Sequence, residues 1–260
     1  MIQLQLFGRA WAAVAALFFA AALSPAAVGQ TRPLKAEVRA MKGTVTYSTD
    51  ATAFKPIKVG MSLPANSTIK TAAESTVDLF LGPSAGVVRV AERSTLILSK
   101  LDQTQTGAEG AVDIQLNLPE GEMYFNVNKL SQASRYEIKM PNGVAGIRGT
   151  KGRCNFHAAD PNGGQAPPVV LVDGRLVFVH IPAGGEPKAY VLTAPPPVYF
   201  SSVDGVKEAP PELIRDVNQE LERIGRGPPF QPPGPPDQRP PVEPFISPNH
   251  PKGGPPGQGR

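Results

Sequence analysis

The strongest constraint on the fold is a run of alternation, turn and alternation between Arg135 and Phe156. Apolar and charged residues alternate in RYEIKM, as they do in a strand with one buried and one exposed face. Pro-Asn-Gly at 141–143 follows and should reverse the chain, because proline lacks a ladder donor and Asn-Gly tolerates positive φ. The segment therefore predicts two strands joined by a tight turn.

The second strand of this segment contains GIRGT, residues Gly146–Thr150. Its two glycines indicate backbone that bends or comes very close to another strand. The guanidinium of Arg148 has five donors, which can bind either carbonyls of neighbouring turns or the carboxylate or phosphate of a ligand. The glycines favour the carbonyls, because they permit close backbone packing.

Residues 34–200 consist of short runs rich in Val, Ile, Leu, Thr and Tyr, separated by Gly, Pro, Asn and Asp. No helical period is sustained, so the pattern predicts a single all-β, mainly antiparallel domain. Besides the central segment, the predicted strands are Val38–Tyr47, Thr76–Leu81, Val87–Val90, Thr95–Leu101, Val112–Leu118, Glu122–Val127, Val169–Val172, Arg175–Ile181 and Ala189–Leu192. Asp173-Gly174 predicts a hairpin and Gln103–Gly110 a loop. A sandwich of two sheets and a short β-solenoid both accommodate such strands.

Met1–Gly29 has the pattern of a secretory signal peptide, with Arg9 ahead of an apolar run over Ala10–Leu23. Small residues before Gln30 predict cleavage after Gly29, with cleavage after Ala27 as the nearby alternative and an uncleaved anchor as the rival interpretation. Cleavage would leave no membrane span. The expected location is the periplasm or the outside of the cell.

Residues 210–226 predict one amphipathic helix, with Pro211 in its first turn and Gly225 just past its end. Its apolar face is expected to pack on the β domain or, alternatively, to bind a partner. Residues 227–260 are rich in Pro and Gly and predict a disordered tail, stiffened where prolines cluster.

Composition and charge exclude several classes of function. A net charge of +4 over 260 residues, without a basic block, gives no basis for nucleic-acid binding. The single cysteine, Cys154, rules out an internal disulfide and is expected to be a small buried residue rather than a reactive thiol.

No catalytic or metal-binding constellation is apparent in the sequence. The three histidines, His157, His180 and His250, have no ligand-like spacing, so neither a metal nor another cofactor is expected. Glu120 and Glu122 would share one face of a strand, but carboxylates at a strand entry are usually solvated. Without a nucleophile, base and metal set together, we do not expect an enzyme.

Several motifs, taken in order, resemble the FecR-type periplasmic domain family over roughly Glu37 to Leu192. The family signature lies at Gly146, Arg148, Gly149 and Thr150, in VAGIRGT after the Pro-x-Gly turn. The other matching motifs are KGTV at 42–45, VGMSL at 59–63, IKT at 69–71, LPEGEMYF at 118–125 and VDGRLV at 172–177.

The resemblance implies a periplasmic, non-enzymatic β domain. In the founding regulators of the family, this domain follows a cytoplasmic sigma-factor-binding region and a membrane helix, and receives a signal from an outer-membrane transporter. Here a predicted signal peptide stands in that place, so direct control of a sigma factor is not expected. We therefore expect an exported binding or scaffolding module that recognises an envelope protein or glycan through a strand edge or loops. The alternatives are a structural envelope protein whose tail spaces the wall and a signalling component related to sigma-factor regulators.

Overall fold

Sixteen strands and one helix form within residues 30–105, 110–158 and 166–224, the part of the chain that the computed structural model describes. The predicted signal peptide and Pro-rich tail lie outside these residues. The strands are β1 (Gln30–Pro33), β2 (Ala36–Lys42), β3 (Val45–Ser48), β4 (Lys55–Pro56), β5 (Ser62–Leu63), β6 (Thr68–Thr71), β7 (Thr76–Gly82), β8 (Gly86–Val90), β9 (Thr95–Gln105), β10 (Ala111–Asn126), β11 (Arg135–Met140), β12 (Gly143–Phe156), β13 (Val169–His180), β14 (Lys188–Ala194), β15 (Val198–Ser201) and β16 (Gly205–Glu208). The helix is α1 (Pro211–Arg223).

The long strands β10, β12 and β13 each change partners partway along, so two half-sheets share them. The first half-sheet runs β14, β13, β12, β11, β10, β9, with β1 and β6 beside β9 and then β3 and β4. The second half-sheet runs β16, β15, β13, β12, β10, β8, β7, β2, β5. This is how strands turn the corners of a two-sheet packing.

Strand β10 shows why such a bend is necessary. Its early residues pair with β9 and β11, and its residues from Gly121 onward pair with β8 and β12. Arg135 of β11 pairs with Asp113 near the start of β10, so the chain must return from Asn126 to the neighbourhood of Asp113. A straight strand from Asp113 to Asn126 would span about 43 Å, whereas the nine residues from Asn126 to Arg135 reach at most about 32 Å. The strand bends at Gly121, where φ is +103°.

One apolar core joins the two half-sheets. Along each strand, alternate side chains point into it, as the alternation in the sequence predicted. Tyr136, Ile138 and Met140 of β11 are all buried, and Phe125, Phe178 and Phe200 are fully buried. Each such side chain contributes about 1.5–3 kcal/mol relative to an exposed one.

The all-β prediction is confirmed, and so is the turn at 141–143, where Met140 pairs with Gly143. Every strand pair is antiparallel except β10 with β11. Solenoids stack successive strands in parallel, so the pairing among the described residues favours the sandwich alternative.

Several predicted strand boundaries are wrong. Val112–Leu118 and Glu122–Val127 belong to the single strand β10, and the hairpin at Asp173-Gly174 is absent because β13 continues through it. Conversely, Val38–Tyr47 divides into β2 and β3 at Gly43, where φ is +72°. Strand β9 also extends to Gln105, into the predicted loop.

The helix forms inside its predicted span, beginning one residue later at Pro211 and ending three residues earlier at Arg223. Its apolar face packs on the outer surface of the second half-sheet, where Val217 is buried against Tyr124 and Val170. The expectation that this helix packs on the β domain is thus confirmed.

Candidate binding surfaces

A row of polar side chains crosses the outer face of the second half-sheet beneath α1. Asp78, Arg89, Tyr124 and Arg153 lie directly opposite one another on β7, β8, β10 and β12. Arg89 donates from Nε to Asp78 Oδ1 at 2.6 Å and from Nη2 to Asp78 Oδ2 at 2.8 Å. The sequence analysis missed this pair, although each charge stands alone in an apolar run, VDLFL and VVRV.

Arg89 also holds the helix. Its Nη1 lies 3.1 Å from Glu220 Oε2, and its Nη2 donates to the Arg223 carbonyl at 3.0 Å, at the C-terminal end of α1 where a cation is favourable. Burial disfavours the charged form of Arg89, but the hydrogen bonds and charges of Asp78 and Glu220 prevail and raise its pKa. The guanidinium therefore stays charged and ties two strands to the helix.

Tyr124 and Arg153 converge on Glu122. The Tyr124 hydroxyl donates to Glu122, and Arg153 Nη1 lies 3.3 Å from Glu122 Oε2. Burial, and after it the charge of Glu122, raise the pKa of Tyr124, so that the phenol keeps its proton. These groups thus contact one another, while the buried Nε of Arg153 has no hydrogen-bond partner among the described residues.

A cavity of about 750 Å³ opens beside this row, next to the end of α1. Its lining includes Lys42, Glu74, Glu92 and Arg223. Glu92 accepts a hydrogen bond from the backbone N–H of Glu74. Within the described residues, no three His, Cys, Asp or Glu side chains lie close enough to hold a metal ion.

The predicted acid pair Glu120 and Glu122 does not converge on one point. Glu120 Oε1 lies 3.0 Å from His157 Nδ1, and its other oxygen accepts from the Ala158 N–H at 3.0 Å. Glu122 instead faces Tyr124 and Arg153. The two carboxylates thus serve separate contacts.

His180 Nδ1 lies 3.0 Å from the carbonyl oxygen of Asn142, at the end of β13. It lines a second cavity of about 690 Å³ together with Phe156, Tyr199 and Leu213. His157 and His180 therefore bind different partners. His250 lies outside the described residues.

The GIRGT segment forms a bulge where β12 passes between the half-sheets. Gly149 has φ +91°, and the register against β13 shifts between Ile147 and Thr150. Buried Thr150 exchanges two backbone hydrogen bonds of 3.0 Å with Val127, beyond the end of β10. Gly146 lies within the regular pairing, opposite Val177.

Arg148 projects from this bulge and is exposed. Its Nη1 donates to the carbonyls of Ser131 and Gln132, both at 3.2 Å. The guanidinium thus contacts the connection between β10 and β11, and no other hydrogen bond or ion pair joins it to the described residues. Binding of a ligand carboxylate or phosphate by Arg148 stays the alternative interpretation.

The edge strands of the half-sheets differ in how well they are protected against pairing with a further strand. Among the described residues, five strands have a single partner, namely β1, β4, β5, β14 and β16. Strands β4 and β5 have two residues each, β1 contains Arg32 and Pro33, and β16 contains Lys207 and Glu208. Short length, proline and charge are the usual means of blocking an edge.

Strand β14 is the exception. It has seven residues, pairs with no described strand other than β13, and is uncharged from Ala189 to Ala194. In a strand with one neighbour, every second residue presents its N–H and C=O to the open side. The described part of the chain thus contains one long edge without these protections.

An apolar surface adjoins this edge on the outer face of the first half-sheet. We call it the valine patch; its members are Val144, Val177, Val179 and Val191. Val191 is 49% exposed and Val177, directly opposite it, 37%. The sequence predicted the strand containing Val191, but it did not predict that the outer side of that strand is open.

Together these features define an all-β domain with a docked helix, an open strand edge and an apolar patch. Residues 67–177 match the family model described as FecR protein, so the FecR family is recognised in this region of the chain. The resemblance inferred from the motifs is thereby confirmed. Proteins of this family are associated with the cell envelope, and the FecR domain indicates a signalling or regulatory role.

Comparison with solved structures finds a candidate anti-sigma factor from Parabacteroides distasonis ATCC 8503, at 11% identity and a TM-score of 0.28. The match covers 69% of this chain and 60% of the other, so the chain spans less than two thirds of that protein. No curated protein matches. None of the helices in the described residues is long and apolar enough to cross a membrane.

Proposed function

We propose that the chain is an exported, non-catalytic module of the cell envelope that binds an extended segment of a partner polypeptide along β14. The observation that carries this proposal is the uncharged edge formed by the six residues Ala189 to Ala194 of β14, beside the valine patch. An added strand pairs its backbone with the free groups of such an edge, and alternate side chains give specificity. Because these groups recur with a strand's periodicity, they match a polypeptide better than a glycan.

The site fits this mode of binding in detail. A partner strand would place every second side chain on the outer face, beside Val191, and would extend the valine patch by one strand. Tyr190 and Leu192 point the other way, toward the core. The partner would thus gain backbone hydrogen bonds and aliphatic contacts without any rearrangement of the domain.

The binding mode is tested by panning phage-displayed random decapeptides on the immobilised full chain. We expect the enriched peptides to slow hydrogen exchange at the amides of β14, and Val191→Lys to weaken their binding by at least about tenfold, because a lysine on an edge opposes added strands. Val59→Lys is the matched control, since Val59 is 55% exposed in a turn away from this edge. Peptides that bind Val191→Lys as tightly as the parent chain would disprove the proposal.

Export is supported by the signal-peptide pattern of Met1–Gly29 and by the envelope association of the family. It is tested by recovering the chain from a periplasmic extract and measuring its intact mass. A chain that begins at Gln30, or at Val28 for the alternative cleavage position, supports export. A chain that keeps residues 1–29 and stays in the cytoplasm contradicts it.

A further inference from the structure

Next to the open edge lies a cation that has no partner among the described residues. Arg175 of β13 lies directly opposite Thr193 of β14 and is exposed. No hydrogen bond or ion pair joins its guanidinium to any described residue. Asp173, two residues earlier, forms no ion pair with it, and Arg148, in the facing bulge of β12, is engaged with carbonyls.

A partner strand would bring its side chains within reach of Arg175. Neighbouring strands lie about 4.8 Å apart, so a strand added to β14 would lie about 10 Å from β13. The residue between them on this face is Thr193, which is small enough for the arginine side chain to extend across it. A carboxylate on the added strand, opposite Thr193, can therefore meet the guanidinium in a charge-assisted hydrogen bond.

Strand β14 of a second copy of this chain does not supply such a group. If β14 paired with β14 of another molecule, the residues facing Arg175 would come from KAYVLTA, which contains no carboxylate. The edge is therefore better matched to a different polypeptide, one that carries an acid.

We propose that the segment bound along β14 carries an aspartate or glutamate opposite Thr193 and that Arg175 selects for it. This inference rests on the proposed function and specifies its partner as an acidic, otherwise apolar, extended segment. Arg175 thereby determines specificity, while the backbone edge and the valine patch supply binding that is independent of charge.

The test uses two fluorescein-labelled decapeptides of alternating valine and threonine that differ at one threonine position, with glutamate in one and glutamine in the other. Binding to the full chain is followed by fluorescence anisotropy. We expect the glutamate peptide to bind about tenfold more tightly, the difference that one charge-assisted hydrogen bond makes. Arg175→Gln should abolish the preference, and added salt should reduce it.

Lys139→Gln is the matched control, because Lys139 is an exposed cation on the same face, on β11, and its loss changes the net charge equally. Equal binding of both peptides to the parent chain, or an equal loss of preference in Lys139→Gln, would overturn the role of Arg175 and leave edge binding intact. Failure of both peptides to bind, or binding that Val191→Lys does not weaken, would contradict the proposed function itself.

Discussion

Arg89 of β8 binds both carboxylate oxygens of Asp78 on β7, at 2.6 and 2.8 Å, and the same guanidinium reaches Glu220 of α1 at 3.1 Å. Asp78 is only 1% exposed, so its charge depends on this partner. One side chain thus joins a β-hairpin to a helix that is 131 residues further along the chain. The contact fixes α1 over Tyr124 and Val170.

Arg89→Ala should lower the free energy of unfolding by about 3–5 kcal/mol, because it leaves the carboxylate of Asp78 buried and unpaired. Urea denaturation followed by circular dichroism measures this loss. Arg223→Ala is the control: it removes a partly exposed ion pair with Glu220, which is worth at most about 1 kcal/mol. Equal stabilities of the two variants would show that the buried pair does not hold the helix.

Gly149 should not tolerate any side chain. At φ +91°, an alanine Cβ would lie 2.6 Å from the Lys129 Cα and 3.0 Å from the Asn128 carbonyl oxygen. Gly149→Ala should therefore destabilise the fold by about 1–3 kcal/mol, because alanine is strained at this positive φ. The close contacts of its Cβ with Lys129 and Asn128 add to this loss. Thermal unfolding measures the loss.

Gly146→Ala provides a control within the same motif. There the nearest atom to an added Cβ is the Val177 carbonyl oxygen, at 3.7 Å, and φ is not positive. We expect a change within about 1 kcal/mol of zero. If the two alanine variants lost equal stability, the bulge at Gly149 would not be the reason for that glycine.

The sequence predicted the faces of strands well but not where strands end. Alternation in RYEIKM and VDIQLNL identified the buried side chains, since that periodicity is a local property. Gly121 and Gly174 instead fall between predicted strands, yet each lies within a single strand, where its positive φ allows a bend. A glycine with positive φ serves a turn or a bulge equally well. Partners distant in the chain decide between them, and a single sequence does not show those partners.

The candidate site was predictable to a similar degree. The GIRGT motif indicated a bend and a carbonyl-binding arginine, because both follow from the residue types. The open side of β14 depends on which strands are absent beside it, which is a property of the topology. Arg175 was visible only as a residue of the VDGRLV motif; its position next to the edge follows from the pairing with Thr193.

Arg148→Ala should fold normally with a modest loss of stability. Its two hydrogen bonds to the carbonyls of Ser131 and Gln132 are solvent-exposed, so we expect a cost of about 0.5–1.5 kcal/mol in urea unfolding. Arg148→Lys should lose nearly as much, because an ammonium group lacks the planar fork. A normally folded Arg148→Ala variant that no longer binds the panned peptides would instead assign this residue to ligand binding.

Cys154 should be inert in the folded protein. Its side chain is buried, and it lies on β12 opposite Met123 of β10 and Val169 of β13. Burial raises the pKa of its thiol to about 12. At pH 8 only about one thiol in ten thousand is then ionised, and the thiolate is the reactive form. Because the chain has one cysteine, Ellman's reagent should detect no thiol in buffer and one thiol in urea, appearing at the rate of unfolding. Rapid labelling of the native chain would show that β12 does not hold this residue in the core.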